Sequence, residues 1–309
     1  MADEEPLRGR GLNIPTGADA VRGILFILLA YIVITSADAT VKWVLPEVGV
    51  AMSMIARGVV GATAIILLTR GRGLRPVNIR LLALRGFLHC GVSATWYWAW
   101  GRGMALVDSY AIASAAPLLM TILAIPILGE TVGWRRWTST ALGFVGVMVM
   151  LQPGGDLWRF ETPFLLVAVV VMAVTRIWTR VLSATDGPAA IAFWLMVAHI
   201  PSGLLLLPSF PPATVTFGPG LVVALLFFGV ANAIAHIFFA RAFALAPVSA
   251  LAPYEYSPLL LGGVLGFLIW AEVPAWSTLA GAVVVIAAGL YNLHRERVRR
   301  AAEQRDGLI

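Results

Sequence analysis

The sequence predicts an all-α integral membrane protein in which ten transmembrane helices form two inverted five-helix repeats. The first supporting observation is composition, because 60% of the 309 residues are apolar, only 12% are charged and the mean hydropathy is +0.87. Such a chain is typical of proteins that fold in a lipid bilayer. The second observation is the recurrence of long apolar runs, and the third is the similarity between the two halves of the chain.

Each apolar run is long enough to cross a membrane, because a helix rises about 1.5 Å per residue and the hydrocarbon core is about 30 Å thick. The linkers are too short for a soluble domain, so one membrane domain fills the chain between polar tails at residues 1–21 and 294–309. Predicted spans one to ten cover, in order, residues 22–43, 48–69, 81–101, 108–128, 135–151, 163–183, 189–208, 219–241, 249–270 and 275–293.

Basic residues predict the orientation, since Lys and Arg concentrate in cytoplasmic loops. With the amino terminus inside, only Lys42, Arg102 and Arg159 fall outside. Arg57 lies within span two, and the other 18 of the 22 basic residues fall in cytoplasmic tails, loops or adjacent helix ends. We therefore expect a multi-pass protein of the cytoplasmic (inner) membrane with both termini inside. The net charge of +6 reflects this topology and does not indicate nucleic-acid binding.

Span one has an alternative interpretation as a cleaved signal peptide, because the small-x-small sequence Ala37-Asp38-Ala39 follows its apolar run. We expect it to be retained, since its removal would break the internal symmetry. Cys90 is the single cysteine, which excludes a disulfide framework. The His, Asp and Glu residues lack metal-ligand spacing and no phosphate-binding loop is present, so we expect neither a metal nor a cofactor.

The two halves of the chain repeat one another in order. Since each copy holds an odd number of spans, the second copy inserts upside down, as in many secondary transporters. The copies cover residues 22–151 and 163–293. The matching segments are "GRGMAL" (101–106) with "ARAFAL" (240–245), "SAAPLL" (114–119) with "EYSPLL" (255–260), and "LGETVGW" (128–134) with "WAEVPAW" (270–276).

These segments resemble the five-helix EamA unit of the drug/metabolite transporter superfamily, over nearly the whole chain. The first copy has "MALVDSYAIASAAPLL", Gly129-Glu130 and "GFVGVMVML", and the second has "FALAPVSALAPYEYSPLLL", Glu272 and "GAVVVIAAGL". Ala271 replaces the glycine that precedes the second glutamate. Among the branches of this superfamily, the chain is most similar to YddG-type amino-acid exporters. The resemblance implies that spans one, three, four, six, eight and nine surround a central cavity, with spans five and ten behind them.

Glycines in spans five, nine and ten permit close helix approach, either inside the molecule or at a homodimer face. They are Gly143, Gly146, Gly262, Gly266, Gly281 and Gly289.

Glu255 is the most informative polar residue, because span nine places it about 10 Å from the cytoplasmic end of the helix. A carboxylate at that depth faces protein or water rather than lipid. It would suit a substrate ammonium group or carry a proton; alternatively, it pairs with an arginine such as Arg176 or hydrogen-bonds a tyrosine. Ser114 occupies the matching position in the first copy, so we expect both residues to face one cavity. Helix breaks that free backbone carbonyls are predicted at Pro117, Pro253 and Pro258.

Trp96 and Trp100 share one face of span three, where they form either an interfacial aromatic belt or an apolar wall for the substrate. Trp178 and Tyr254 are comparable candidates. Five further polar residues have alternative roles. Asp38 and Lys42 lie four residues apart and are expected to pair with each other, although Lys42 could instead attract a substrate carboxylate. The last three are interior hydrogen-bonding residues or substrate ligands: His89, Asn232 and His236.

The expected function is export of amino acids or similar small metabolites across the bilayer by alternating access, without covalent chemistry. The alternative is a membrane-embedded enzyme that acts on a lipid-linked substrate. That enzyme would need clustered histidines and carboxylates near one interface, whereas His89, His199 and His236 are scattered along the sequence.

Overall fold

The computed structural model describes residues 17–129, 134–151, 157–212, 218–288 and 291, and all regular secondary structure within them is helical. Glu130, Gly289 and most of both predicted tails lie outside the described residues. The helices are α1 Gly17–Thr69, α2 Ile79–Gly101, α3 Leu106–Ala113, α4 Ala116–Leu128, α5 Trp134–Met150, α6 Thr162–Leu182, α7 Pro188–Leu206, α8 Pro219–Leu245, α9 Val248–Leu251, a 3-10 segment Ala252–Tyr256, α10 Ser257–Trp270 and α11 Trp276–Ala288.

Five helical stretches in the described residues are long and apolar enough to cross a membrane. Large apolar side chains are exposed on the outer surfaces of the helices, including Leu67, Leu205 and Leu268, which suits a lipid environment. The all-helical membrane class is thus supported, whereas the count of ten spans stays a prediction. The five stretches are Asp19–Thr69, Leu106–Leu128, Thr162–Leu182, Pro188–Leu206 and Pro219–Leu245.

Predicted spans one and two both lie in α1, which is divided at Gly49. This residue has φ 74° and ψ 171°, a non-helical conformation that glycine adopts at little cost. Pro46 lies just before it and cannot donate a backbone hydrogen bond. We call residues 17–48 the first arm of α1 and residues 50–69 the second arm.

The predicted fourth and ninth spans are also interrupted. Pro117 lies in the first turn of α4 and Pro258 in the first turn of α10, where the missing N–H group costs little. Pro253 belongs to the 3-10 segment between α9 and α10. Both interruptions are slight, because Ser114 and Ala115 keep right-handed helical dihedrals and residues Ala252–Tyr256 form a 3-10 helix.

The second arm of α1 packs closely against α7 and α8 through glycines. A Cβ atom built on Gly229 would lie 2.4 Å from Val60 Cβ, and one built on Gly61 would lie 2.7 Å from Met196 Sδ. Similarly, Gly146 of α5 and Gly281 of α11 approach each other so closely that a Cβ on Gly281 would lie 2.5 Å from the Gly146 carbonyl oxygen. Such contacts allow helix backbones to approach.

The glycines of span nine contact side chains of this same chain. Gly262 accommodates the ring of Tyr110, and Gly266 accommodates the carboxylate of Glu272, whose Oε2 would lie 2.6 Å from an added Cβ. The sequence left two roles open for this glycine pair, packing inside the molecule or a homodimer face. The structure shows packing inside the molecule.

Candidate functional site

A central cavity lies between the two halves of the chain. Its wall is formed by both arms of α1 together with α2, α3, α6, α8, the 3-10 segment and the start of α10. These elements include the six spans that the resemblance placed around a cavity, and the second arm of α1 adds Arg57. The wall combines aromatic rings with a few charged groups, as small-molecule sites commonly do.

Six of the ten candidate substrate-binding residues lie on this wall. They come from α1, α2, α8 and the 3-10 segment, and Pro258 joins them from α10. Their role in binding a substrate stays a prediction. The six are Asp38, His89, Trp96, Trp100, His236 and Glu255.

Ser114, Trp178, Asn232 and Tyr254 are absent from the wall. The Ser114 hydroxyl donates to the carbonyl of Tyr110 at 2.9 Å, and the Asn232 amide donates to the carbonyl of Phe228 at 2.9 Å. Both side chains therefore bond to their own helical turn, which is a common way for such residues to be satisfied inside helices. The expectation that Ser114 and Glu255 face one cavity is wrong for Ser114, since only Glu255 reaches the wall.

Glu255 forms an ion pair with Arg176, whose Nη1 lies 2.5 Å from Glu255 Oε1. Arg176 also donates to the hydroxyl of Tyr31, and its guanidinium lies 5.1 Å from the ring centroid of Phe239. The Glu255 side chain is only 2% exposed, so this pair is held away from water. Pairing with an arginine was the alternative interpretation of Glu255. The structure shows this pair, and it also places Glu255 on the cavity wall.

Three arginines that the orientation count assigned to cytoplasmic helix ends make contacts within the helix bundle. Arg176 pairs with Glu255. Arg85 donates to the hydroxyl of Thr179 at 2.8 Å, and Arg180 donates to the carbonyl of Phe243 at 2.6 Å. The contacts of these three arginines therefore explain their positions without reference to the orientation of the protein in the membrane.

The predicted pair of Asp38 and Lys42 does not form. Lys42 instead pairs with Glu272 and lies 4.6 Å from the ring centroid of Trp270. Glu272 also accepts the backbone N–H of Leu106 at 2.9 Å, which fixes its carboxylate beside Lys42. Asp38 accepts the hydroxyl of Tyr110 at 2.7 Å and is left facing the cavity.

The Lys42–Glu272 pair links the first half of the chain to the second, and its loss should lower stability. Lys42→Met leaves Glu272 buried without its cation, so we expect the free energy of unfolding to fall by about 1–3 kcal/mol. Thermal unfolding of the purified protein in detergent measures this change.

The matched control is the pair of Asp19 and Arg22, because its arginine side chain is 70% exposed and its ion pair measures 3.9 Å. Asp19→Asn should alter the free energy of unfolding by less than about 1 kcal/mol. Equal losses in the two variants would contradict a structural role for the Lys42–Glu272 pair.

Arg57 is the centre of a buried polar network on the wall. Its Nη1 donates to the hydroxyls of Ser93 at 3.0 Å and Tyr97 at 2.8 Å, and its Nη2 lies 2.8 Å from His236 Nε2. Because arginine only donates, His236 Nε2 accepts, and the neutral ring carries its proton on Nδ1. The ring of His89 packs edge-on against His236 at 5.3 Å.

Several wall residues were not selected from the sequence, notably Arg57, Tyr31, Tyr97 and Tyr110. Arg57 carried a usable signal, because a charged residue in the interior of a span indicates a functional site. The tyrosines carried none, since their sequence positions do not distinguish a cavity wall from helix packing.

Comparison with other proteins places the chain near membrane transporters, although no family model matches it. It is 29% identical over 201 residues to the S-adenosylmethionine uptake transporter of Rickettsia prowazekii, which covers 65% of this chain and 67% of that protein. It is 28% identical over 273 residues to the riboflavin transporter of Vibrio cholerae, which covers 86% of this chain and 91% of that protein.

A solved crystal structure superposes on the chain with a TM-score of 0.68 and 16% sequence identity, and it covers 91% of this chain and 98% of the other. This likeness concerns the fold alone. The sequence comparisons add that both relatives are named as transporters, one of S-adenosylmethionine and the other of riboflavin. The chain is thus similar, over most of its length, to multi-pass membrane transporters of small molecules.

Proposed function

We propose that this protein is a membrane transporter that moves a small-molecule metabolite through the central cavity by alternating access. The observation that carries the proposal is the cavity itself, which lies between helices from both halves of a chain similar to transporters.

The proposed cargo classes are amino acids, expected from the sequence, and the compounds named for the relatives, S-adenosylmethionine and riboflavin. The latter two carry flat ring systems, and the wall offers Trp96, Tyr97 and Trp100 as aromatic surfaces. Amino acids and S-adenosylmethionine share an amino-acid head group, and the wall also carries Asp38 and Arg57. Export was the expected direction, whereas the Rickettsia relative is named for uptake.

The proposal includes an architecture in which residues 22–151 and 163–293 are inverted repeats in the cytoplasmic (inner) membrane with both termini inside. Rocking of one repeat against the other would expose the cavity to each side in turn. A homodimer is also part of the proposal. Its interface would have to use a surface other than Gly262 and Gly266, because these glycines accommodate Tyr110 and Glu272 of the same chain.

The test is transport by the purified full-length protein in liposomes, with labelled amino acids, S-adenosylmethionine and riboflavin offered separately. We expect saturable transport of at least one of them. Where the transported compound carries an ammonium group, Asp38→Asn should reduce its transport at least about tenfold, because a charged contact with the cargo is lost. The substitution is nearly isosteric, and the new amide oxygen still accepts the Tyr110 hydroxyl.

The matched control is Asp108→Asn, which changes a carboxylate that is not on the wall and should leave transport within about twofold. Absence of saturable transport for every compound would contradict the proposed function. Turnover of a lipid-linked substrate by the detergent-solubilised protein would support the enzyme alternative instead.

A further inference from the structure

Arg57 is a buried cation that makes no direct ion pair with any described residue. Its residue is 3% exposed, and its described partners, Ser93, Tyr97 and His236, are all neutral groups. Within the described part of the chain, the ion pairs are those of Arg22, Lys42, Arg102, Arg159 and Arg176, so none involves Arg57. The charge of Arg57 acts on the carboxylate of Asp38 on the same wall, although the two groups do not touch. Since a buried charge without a contacting counter-ion is costly, an anionic group inside the cavity would find a favourable place beside Arg57.

The guanidinium still has donors to offer. An arginine carries five N–H groups, and the hydrogen bonds to Ser93, Tyr97 and His236 account for three of them. Nε is buried without a hydrogen-bond partner among the described residues, and Nη2 has one described partner for its two N–H groups. Nε and Nη2 are adjacent on one edge of the guanidinium, and carboxylates bind such an edge through two parallel hydrogen bonds.

Asp38 provides the opposite charge on the same wall. Its described partner is the neutral hydroxyl of Tyr110, which leaves most of the acceptor capacity of the carboxylate unused. The other charged residues of the wall, Arg176 and Glu255, already neutralise each other. The wall therefore presents a cation and an anion that attract each other but do not touch, so that one occupant of the cavity can contact both.

We propose that the cargo carries an α-amino-acid group, with its carboxylate bound to Arg57 and its ammonium bound near Asp38. This inference rests on the proposed transport function and narrows it to one class of substrate. Free amino acids and S-adenosylmethionine both satisfy it, because each carries the required head group. Riboflavin does not, because it lacks both a carboxylate and an ammonium.

The experiment compares ligands that differ by a single carboxylate. The purified full-length protein is titrated in detergent with L-methionine and 3-(methylthio)propylamine, and with S-adenosylmethionine and its decarboxylated form, and binding is measured by calorimetry. We expect at least one carboxylate-bearing compound to bind, and to bind at least about tenfold more tightly than its matched amine, because a charge-assisted bidentate contact is lost in the amine.

Variants then assign this preference to a residue. Arg57→Gln should weaken binding of the carboxylate member by roughly 10- to 100-fold and leave the amine within about threefold, so that the preference disappears. Arg57→Lys should keep part of it, because the charge remains and the two-bond edge is lost. The control is Arg85→Gln, which removes another buried arginine that bonds to Thr175 and Thr179 and is not on the wall; it should retain the full preference.

The outcomes separate this inference from the transport proposal. Equal binding of the matched amine, transport of riboflavin alone in the liposome assay, or a preference that persists in folded Arg57→Gln would overturn the inference while transport stands. Failure of every carboxylate-bearing compound to bind would overturn it as well. If Arg57→Gln does not fold, the comparison of matched ligands on the unaltered protein still decides, because it needs no variant.

Discussion

Glu255→Ala is expected to destabilise the protein by about 3–5 kcal/mol, because it leaves the guanidinium of Arg176 inside the helix bundle without its carboxylate. The side chains of Glu255 and Arg176 are 2% and 15% exposed, so water screens the pair weakly. After the change, the hydroxyl of Tyr31 and the ring of Phe239 remain beside the cation, and neither carries a compensating charge. Thermal and denaturant unfolding in detergent measure the loss.

A double variant separates the ion pair from the rest of the site. In Arg176→Gln/Glu255→Gln neither charge remains, so the free energy of unfolding should recover most of what a single replacement loses. Strictly additive losses would show that the two residues do not act as a pair. The double variant also tests whether this ion pair takes part in substrate binding, since a stable protein that has lost transport would place the cargo against Arg176, Glu255 or both.

Gly229→Ala is expected to destabilise the packing of α1 against α8 by about 3 kcal/mol, at the upper end of the usual range for overpacking. The new methyl group would lie 2.4 Å from Val60 Cβ and 2.6 Å from Val60 Cγ1. A Cβ atom is fixed to the backbone and cannot rotate away, so the two helices must separate. The change should appear as a lower unfolding temperature and a lower yield of monodisperse protein in detergent.

The control is Gly91→Ala in α2, because an added Cβ there meets no atom within 4 Å. Alanine should stabilise that helical position by about 0.5–1 kcal/mol. A second-site change provides a further check, since Val60→Gly removes the atom that Gly229→Ala strikes and should restore part of the stability. Destabilisation by Gly91→Ala as large as that by Gly229→Ala would contradict this explanation.

The sequence predicted the helical elements well because their signals are local. Apolar runs of about 20 residues and the prolines that interrupt spans four and nine are recognised from nearby residues alone. The break at Gly49 is an instructive case. The sequence separates spans one and two by four residues, and the structure makes this joint even shorter, with a single glycine outside the helical conformation.

Partners that are distant in the sequence were predicted poorly. Asp38 and Lys42 are four residues apart, and this spacing suggested a pair, yet Lys42 is held by Glu272, 230 residues away. Glu272 itself is fixed by the backbone of Leu106, a contact that no periodicity reveals. The same limitation applies to Ser114, whose match to Glu255 in the repeat did not determine where its hydroxyl points. Tertiary packing, rather than spacing, selected the partners in each case.

The bend at Gly49 places two charged residues of the cavity wall on different arms of α1. Asp38 belongs to the first arm of α1 and Arg57 to the second, so the angle between the arms sets the distance between the two charged groups. A molecule that touched both groups at once would fix that angle, and an empty cavity would leave it to the packing of the surrounding helices. A cargo bound to both groups, as proposed above, would therefore act on the bend of this one helix.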